Sequence, residues 1–73
     1  MKAILEFNLP DDNAEFTMST KANSYYLALW DLDQHLRSEI KYNDALSEDA
    51  YDTYVKVRDK LRDIMNENNI SFD

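Results

Sequence analysis

The sequence predicts a mainly helical α+β domain, in which two long antiparallel helices support a short N-terminal strand that pairs with the C-terminal tail. Three observations predict it: apolar residues at helical spacing in two segments, an alternation near the N-terminus that only Ile4 interrupts, and a short link between the helical segments. A chain of 73 residues has room for one small domain, which we place at residues 1–73.

The N-terminal segment has the alternation of a half-buried strand. Residues 2–9 place every second side chain on an apolar face, made of Ala3, Leu5, Phe7 and Leu9. Pro10 ends this segment because proline has no N–H to donate to a neighbouring strand. Residues 70–73 have apolar side chains at Ile70 and Phe72, so we expect this tail to pair with the first strand.

The first long helix is expected to begin at Ser24, a good N-cap residue. Its apolar stripe has steps of four, three, four and four, through Tyr25, Leu29, Leu32, Leu36 and Ile40. Before it, Asp12 and Glu15 have the spacing of a capping box. Residues 12–20 are therefore predicted to form a separate short helix, with a second strand as the alternative.

The second long helix is expected to begin after Ser47, with acidic residues in its first turn. Its stripe runs through Ala50, Tyr54, Val57, Leu61 and Ile64, widened by Met65. The link of about five residues predicts antiparallel neighbours, and Asn68 and Asn69 predict a turn at the end.

The predicted core combines both stripes with the strand and the tail. It comprises Leu5, Phe7, Phe16, Tyr25, Leu29, Leu32, Leu36, Ile40, Tyr54, Val57, Leu61, Ile64 and Phe72. A helix hairpin with such broad apolar stripes has surface left to bury, which makes a homodimer plausible.

Composition restricts the classes of function. Fifteen acidic and eight basic residues give a net charge of −7, which opposes direct binding to nucleic acid and favours a basic protein partner. The alternative is that the acidity serves solubility alone. The absence of cysteine excludes disulfides and thiolate zinc sites.

We expect a cytoplasmic protein with no membrane association. No run of about 18 apolar residues is present, and the apolar run at the N-terminus is too short for a signal peptide.

One face of the first long helix is a candidate partner-binding surface. It carries Tyr26, Trp30, Asp33 and Arg37, where Asp33 and Arg37 are spaced for an ion pair. Trp and Arg are enriched at binding hot spots. The alternative, which the small size of the domain favours, is that both aromatic residues cover the strand layer while Arg37 extends over them.

A second candidate partner-binding surface is the acidic corner at the start of the second helix, made of Asp44, Glu48, Asp49 and Asp52. The helix dipole alone favours carboxylates there, but they could also imitate the phosphates of a nucleic acid. Basic residues further along the same helix weaken that mimicry: Lys56, Arg58, Lys60 and Arg62.

Catalytic and metal sites are not expected, and no cofactor is predicted. Asp31, Asp33 and His35 lie two residues apart and point in different directions on a helix, although Asp31 and His35 could supply two metal ligands. The chain has no glycine, on which phosphate-binding loops and nucleophile elbows depend. We predict a protein that is not an enzyme; a metal-dependent hydrolase would need these side chains to converge.

The run LWDLDQHLRSEIKY at residues 29–42, the preceding tyrosine pair, the opening KAILEFNLPDD and the ending NENNISFD resemble small acidic proteins encoded in tailed-bacteriophage genomes. The resemblance covers nearly the whole chain and brings no assigned site residues. It implies a location in the cytoplasm of an infected bacterium. It also favours a non-enzymatic protein that binds and inhibits a host protein, such as a defence or nucleic-acid-handling enzyme. The alternative is a self-associating accessory or structural subunit of phage machinery.

Overall fold

The protein is an elongated hairpin of two helices. A computed structural model describes residues 1–72, in which α1 spans Asn13–Tyr42, α2 spans Glu48–Glu67 and residues 43–47 connect them. The helices pack against each other, and the molecule measures 53 × 27 × 19 Å. The predicted helix hairpin is confirmed.

The expected strand pairing is wrong, because residues 1–72 contain no strand. Residues 1–9, which we name the N-terminal arm, place Phe7 edge-on against Phe16 at 5.6 Å between ring centroids. The tail instead places Phe72 against Trp30. Phe16 and Trp30 are separated by about 21 Å of helix at 1.5 Å per residue, so the arm and the tail contact different parts of α1. Residue 73, the last of the predicted tail strand, lies outside the described residues.

The predicted start of the long helix at Ser24 is also wrong. The helix expected over residues 12–20 is present, but it continues through Ser24 as one rod of 30 residues that begins at Asn13. The sequence between these points has no glycine or proline to interrupt the backbone hydrogen bonds. Asp12 makes no capping hydrogen bond to the helix; its Oδ2 accepts from the N–H of Asn8 at 2.8 Å.

Both ends of α2 follow their sequence signals. The hydroxyl oxygen of Ser47 accepts a hydrogen bond from the N–H of Ala50 at 3.1 Å, which confirms the N-cap. At the other end Asn69 has a φ of 58°, a conformation that asparagine tolerates better than most residues. The N–H of Ile70 then donates to the carbonyl of Met65 at 2.8 Å, as in a Schellman motif. This turn reverses the chain and directs the tail towards α1.

The core is much smaller than predicted. Within residues 1–72, the only buried apolar side chains are Leu36 and Met65. Each helix has one helical neighbour, so only a narrow part of each apolar stripe is covered. The expected core residues that prove to be exposed are Leu5, Phe16, Tyr25, Leu32, Val57 and Ile64.

Candidate functional site

A fully buried carboxylate lies at the centre of the helix interface. Asp33 of α1 has no exposed surface and accepts hydrogen bonds from two arginines of α2. From Arg58, Nε lies 3.0 Å from Oδ1 and Nη2 lies 3.3 Å from Oδ2. From Arg62, the corresponding distances are 3.2 and 3.0 Å. Both guanidinium groups therefore hold the carboxylate through two parallel hydrogen bonds.

Helical spacing explains why these three residues meet. Arg58 and Arg62 are four residues apart and lie on the same face of α2. Asp33 occupies the matching inward position on α1, between the inward-facing Leu29 and Leu36. A buried carboxylate requires compensating partners; the four hydrogen bonds from the arginines and a longer one from Gln34 Nε2, at 3.5 Å, provide them. Among the described residues, no buried side-chain nitrogen or oxygen lacks a hydrogen-bond partner.

The two arginines keep Asp33 ionised despite its burial. Burial acts to raise the pKa of Asp33, whereas the hydrogen bonds from Arg58 and Arg62 and their positive charges act to lower it. The lowering effects prevail, so the pKa of Asp33 lies below its ordinary value. The carboxylate is consequently a permanent anion at neutral pH.

The group formed by one carboxylate and two guanidinium groups has a formal charge of +1, in a chain whose net charge is −7. The side chain of Arg62 is 48% exposed and that of Arg58 is 25% exposed. Arg62 is thus the member that a partner molecule can reach. Its guanidinium carbon also lies 5.1 Å from the ring centroid of Phe72, a cation–π contact.

Phe72 covers this group on one side of the hairpin. Its ring meets Trp30 and Tyr26 edge-on, at 5.3 and 5.8 Å between centroids. The hydroxyl of Tyr26 donates a hydrogen bond to the carbonyl of Phe72 at 3.1 Å, which fixes the tail backbone. We name the whole assembly the aromatic–arginine cluster; its members are Tyr26, Trp30, Asp33, Arg58, Arg62 and Phe72.

A cleft of about 220 Å³ lies beside the cluster, between the end of α2 and the tail. Its walls are Arg62, Met65, Asn66, Ile70, Ser71 and Phe72. Sites for small-molecule ligands usually enclose about 300–1,000 Å³. The cleft is smaller than that range, and its size suits a single side chain of another protein.

The structure brings together only part of the first predicted surface. Tyr26 and Trp30 both contact Phe72, whereas Asp33 is directed into the helix interface and Arg37 is half-buried. The ion pair expected between Asp33 and Arg37 is wrong, because Arg58 and Arg62 hold the carboxylate. The alternative of a strand layer beneath the aromatic residues is also wrong, since the tail contacts them as an irregular segment. Partner binding at this surface stays a prediction.

The other predicted groups lie at the surface. All four residues of the acidic corner are exposed, and so are Asp31 and His35. Within residues 1–72, no three His, Asp or Glu side chains gather in a way that could hold a metal ion. In the same part of the chain, neither helix has the length and apolar composition needed to cross a membrane.

Sequence reasoning missed Arg58 and Arg62, which it treated as part of a basic segment of α2. One signal could have identified them. Asp33 follows Leu29 by four residues and precedes Leu36 by three, so the helical period turns it inward. A carboxylate at such a position needs a cationic partner from the facing helix, and two arginines one turn apart are the best match.

Comparisons with protein-family models, with curated proteins and with solved structures each found no match.

Proposed function

We propose that this protein is not an enzyme and acts by binding another protein through the aromatic–arginine cluster. The observation that supports the proposal most strongly is a partly exposed set of Trp30, Phe72 and Arg62, held in place by the buried Asp33. Trp, Tyr and Arg dominate the energetics of protein interfaces. Because the four hydrogen bonds to Asp33 fix the arginines before binding, less conformational entropy is lost when a partner docks.

The charge distribution indicates the kind of partner. The net charge of −7 would speed association with a basic surface and slow association with an acidic one. The exposed acidic corner, with Asp44 and Glu48 among its residues, adds to this preference. We therefore expect a partner that offers one apolar side chain to the cleft and carries Lys and Arg outside the part that meets Arg62.

The resemblance to small acidic phage proteins suggests that the partner is a protein of an infected bacterium, blocked when its surface is occupied. A defence enzyme or an enzyme that handles nucleic acid would have the basic surface that this charge requires. Under this proposal the protein acts in the bacterial cytoplasm and needs no cofactor.

A second candidate is an accessory or structural subunit of phage machinery that works by self-association. The small core of the hairpin favours it, since Leu36 and Met65 are the only buried apolar residues described. The two functions differ in what binds to the chain during infection.

Affinity purification from infected cells tests the proposal when it is combined with two matched variants. Trp30→Ala removes the exposed ring of the cluster, and Met18→Ala is the control about 18 Å away along α1, with 62% exposure against 39% for Trp30. We expect a host protein at near-equal amounts with the wild type. Its dissociation constant should rise about 30-fold for Trp30→Ala and less than threefold for Met18→Ala.

Folding of both variants is checked by circular dichroism, because Trp30 also contacts Phe72. If the purified host protein is an enzyme, titration with the wild type should abolish its activity at one-to-one stoichiometry. Equal affinity of the two variants would refute binding at the cluster. Recovery of phage proteins alone would refute the inhibitor and support the accessory subunit.

A further inference from the structure

The side of the hairpin opposite the tail is apolar and uncovered, and its location follows from helix geometry. Asp33 and Arg58 face each other across the interface. Leu32 and Val57 each precede one of these residues by one position, which is a rotation of about 100° in the same sense. Because the two helices are antiparallel, equal rotations of the same sense turn both side chains to the same side of the hairpin.

The contacts of Phe72 support this geometry on the other side. Trp30 precedes Asp33 by three residues, and Arg62 follows Arg58 by four. These spacings rotate the two side chains by about 60° and 40° from Asp33 and Arg58, in the sense opposite to the rotation of Leu32 and Val57. Both contact the ring of Phe72. The tail therefore covers one side of the hairpin, and Leu32 and Val57 lie on the other.

We name that second side the open apolar face. Tyr25, Leu32, Val57 and Ile64 have 53, 45, 46 and 45% of their surfaces exposed. Helical spacing places two half-buried residues of the stripes alongside them: Leu29 and Leu61. The carboxylates of Asp52, Asp59 and Asp63 are rotated from Arg58 towards the side of the tail, so they lie away from this face.

The accessible surface area and the radius of gyration indicate how much surface lacks a packing partner. A compact monomer of 8.6 kDa exposes about 4,700 Å² and has a radius of gyration of about 11 Å. This chain exposes 6266 Å² and has a radius of gyration of 17.4 Å. The excess over a compact monomer is about 1,600 Å². It exceeds the roughly 800 Å² that each partner contributes to a standard interface.

We propose that a second copy of this chain covers the open apolar face, so that two hairpins form a four-helix bundle. The reason for choosing a second copy is that the deficit lies in the core of the chain itself. Every folded molecule needs a packing partner for the open apolar face, and another copy of the chain is present wherever the protein folds. The carboxylates of α2 point away from the face, and Glu39 of α1, which lies on the same side as Leu32, accepts a hydrogen bond from Asn43 at 2.6 Å, so few charges oppose close approach of the two faces.

The four-helix bundle does not depend on the proposed binding function, but it determines how the binding surfaces are presented. Pairing through the open apolar face leaves both aromatic–arginine clusters outside, because the tails lie on the opposite side. The dimer would then present two identical binding surfaces. A host partner could be absent and the dimer would still form.

Light scattering coupled to gel filtration, over a range of micromolar concentrations, tests the proposal with two charge insertions. Leu32→Glu places a carboxylate on the open apolar face, and Leu27→Glu makes the same change at 47% exposure on a different side of α1. We expect twice the 8.6 kDa chain mass for the wild type and Leu27→Glu. For Leu32→Glu the dimer dissociation constant should rise by at least about 100-fold, giving monomer.

A second measurement covers the case in which Leu32→Glu fails to fold. The melting temperature of the wild type should rise with protein concentration, because dissociation accompanies unfolding of a dimer. A monomeric wild type with a concentration-independent melting temperature would overturn the proposal. It would equally be overturned if Leu32→Glu stayed dimeric, or if Leu27→Glu dissociated to the same extent.

Discussion

Replacement of Asp33 by asparagine should destabilise the protein more than any other single change of charge. The substitution keeps the shape of the side chain but removes the anion that four hydrogen bonds from Arg58 and Arg62 surround. It also places an amide N–H₂ group against a guanidinium group, where neither can accept a hydrogen bond. The result is a buried polar contact with unsatisfied donors, which is costly.

The size of the effect follows from the exposure of the two arginines. Hydrogen bonds to charged groups contribute about 1.5–3 kcal/mol when shielded from water, and exposed ion pairs contribute about 0.2–1 kcal/mol. Arg58 is 25% exposed, so we assign its pair about 2 kcal/mol; Arg62 is 48% exposed, so we assign about 1 kcal/mol. The expected loss is about 3 kcal/mol, out of about 4–11 kcal/mol for a chain of this length.

Thermal unfolding followed by far-ultraviolet circular dichroism measures this loss, as a fall of about 12–24 °C in melting temperature. All proteins are compared at one concentration, because self-association would raise the melting temperature. Asp31→Asn, an exposed position on the same helix, is the control and should change stability by less than about 0.5 kcal/mol. Equal losses for Asp33→Asn and Asp31→Asn would refute the reasoning.

Three further predictions concern the pKa of Asp33, the contact of Phe72 with Trp30 and the N-cap of α2. The pKa of Asp33 is lowered on folding, so its contribution to stability should be complete above its unfolded pKa of about 3.9 and be lost as the pH falls through its lower folded value. The free energies of unfolding of the wild type and Asp33→Asn, measured with urea, should therefore approach each other as the pH falls below about 4. Phe72→Ala should shift Trp30 fluorescence to longer wavelength by exposing the indole and cost about 1–2 kcal/mol, whereas Phe16→Ala at the other end of α1 should leave the emission unchanged. Ser47→Ala removes the side-chain cap of α2 and should cost about 1 kcal/mol in urea unfolding.

Each of these predictions has a contrary result. A stability difference between wild type and Asp33→Asn that stays constant from pH 6 to pH 2 would contradict the lowered pKa. Identical emission spectra for Phe72→Ala and the wild type would mean that the tail does not cover Trp30. For the cap, Ser38→Ala, at an exposed position in the last part of α1, is the matched control; a loss as large as that of Ser47→Ala would exclude a specific capping effect.

The sequence alone determined the parts of the fold that depend on neighbouring residues. Ser47 and the stripe that follows it predicted α2, because an N-cap side chain and a 3.6-residue period act within a few residues of the chain. The link of about five residues predicted the hairpin, because so short a connection joins antiparallel neighbouring helices. Asn69 predicted the turn after α2, since asparagine tolerates a positive φ.

Only the tertiary structure decided which side of each helix faces the other and where the two ends of the chain lie. The stripe of α1 predicted Leu32 in the core, but the helices pack along the neighbouring line of residues that contains Asp33, because two arginines of α2 satisfy its charge there. The strand predicted from the N-terminal alternation is wrong, because a strand also needs a partner backbone. The tail does not supply one, because Phe72 packs on Trp30 instead, and the choice between distant segments leaves no mark in the local sequence.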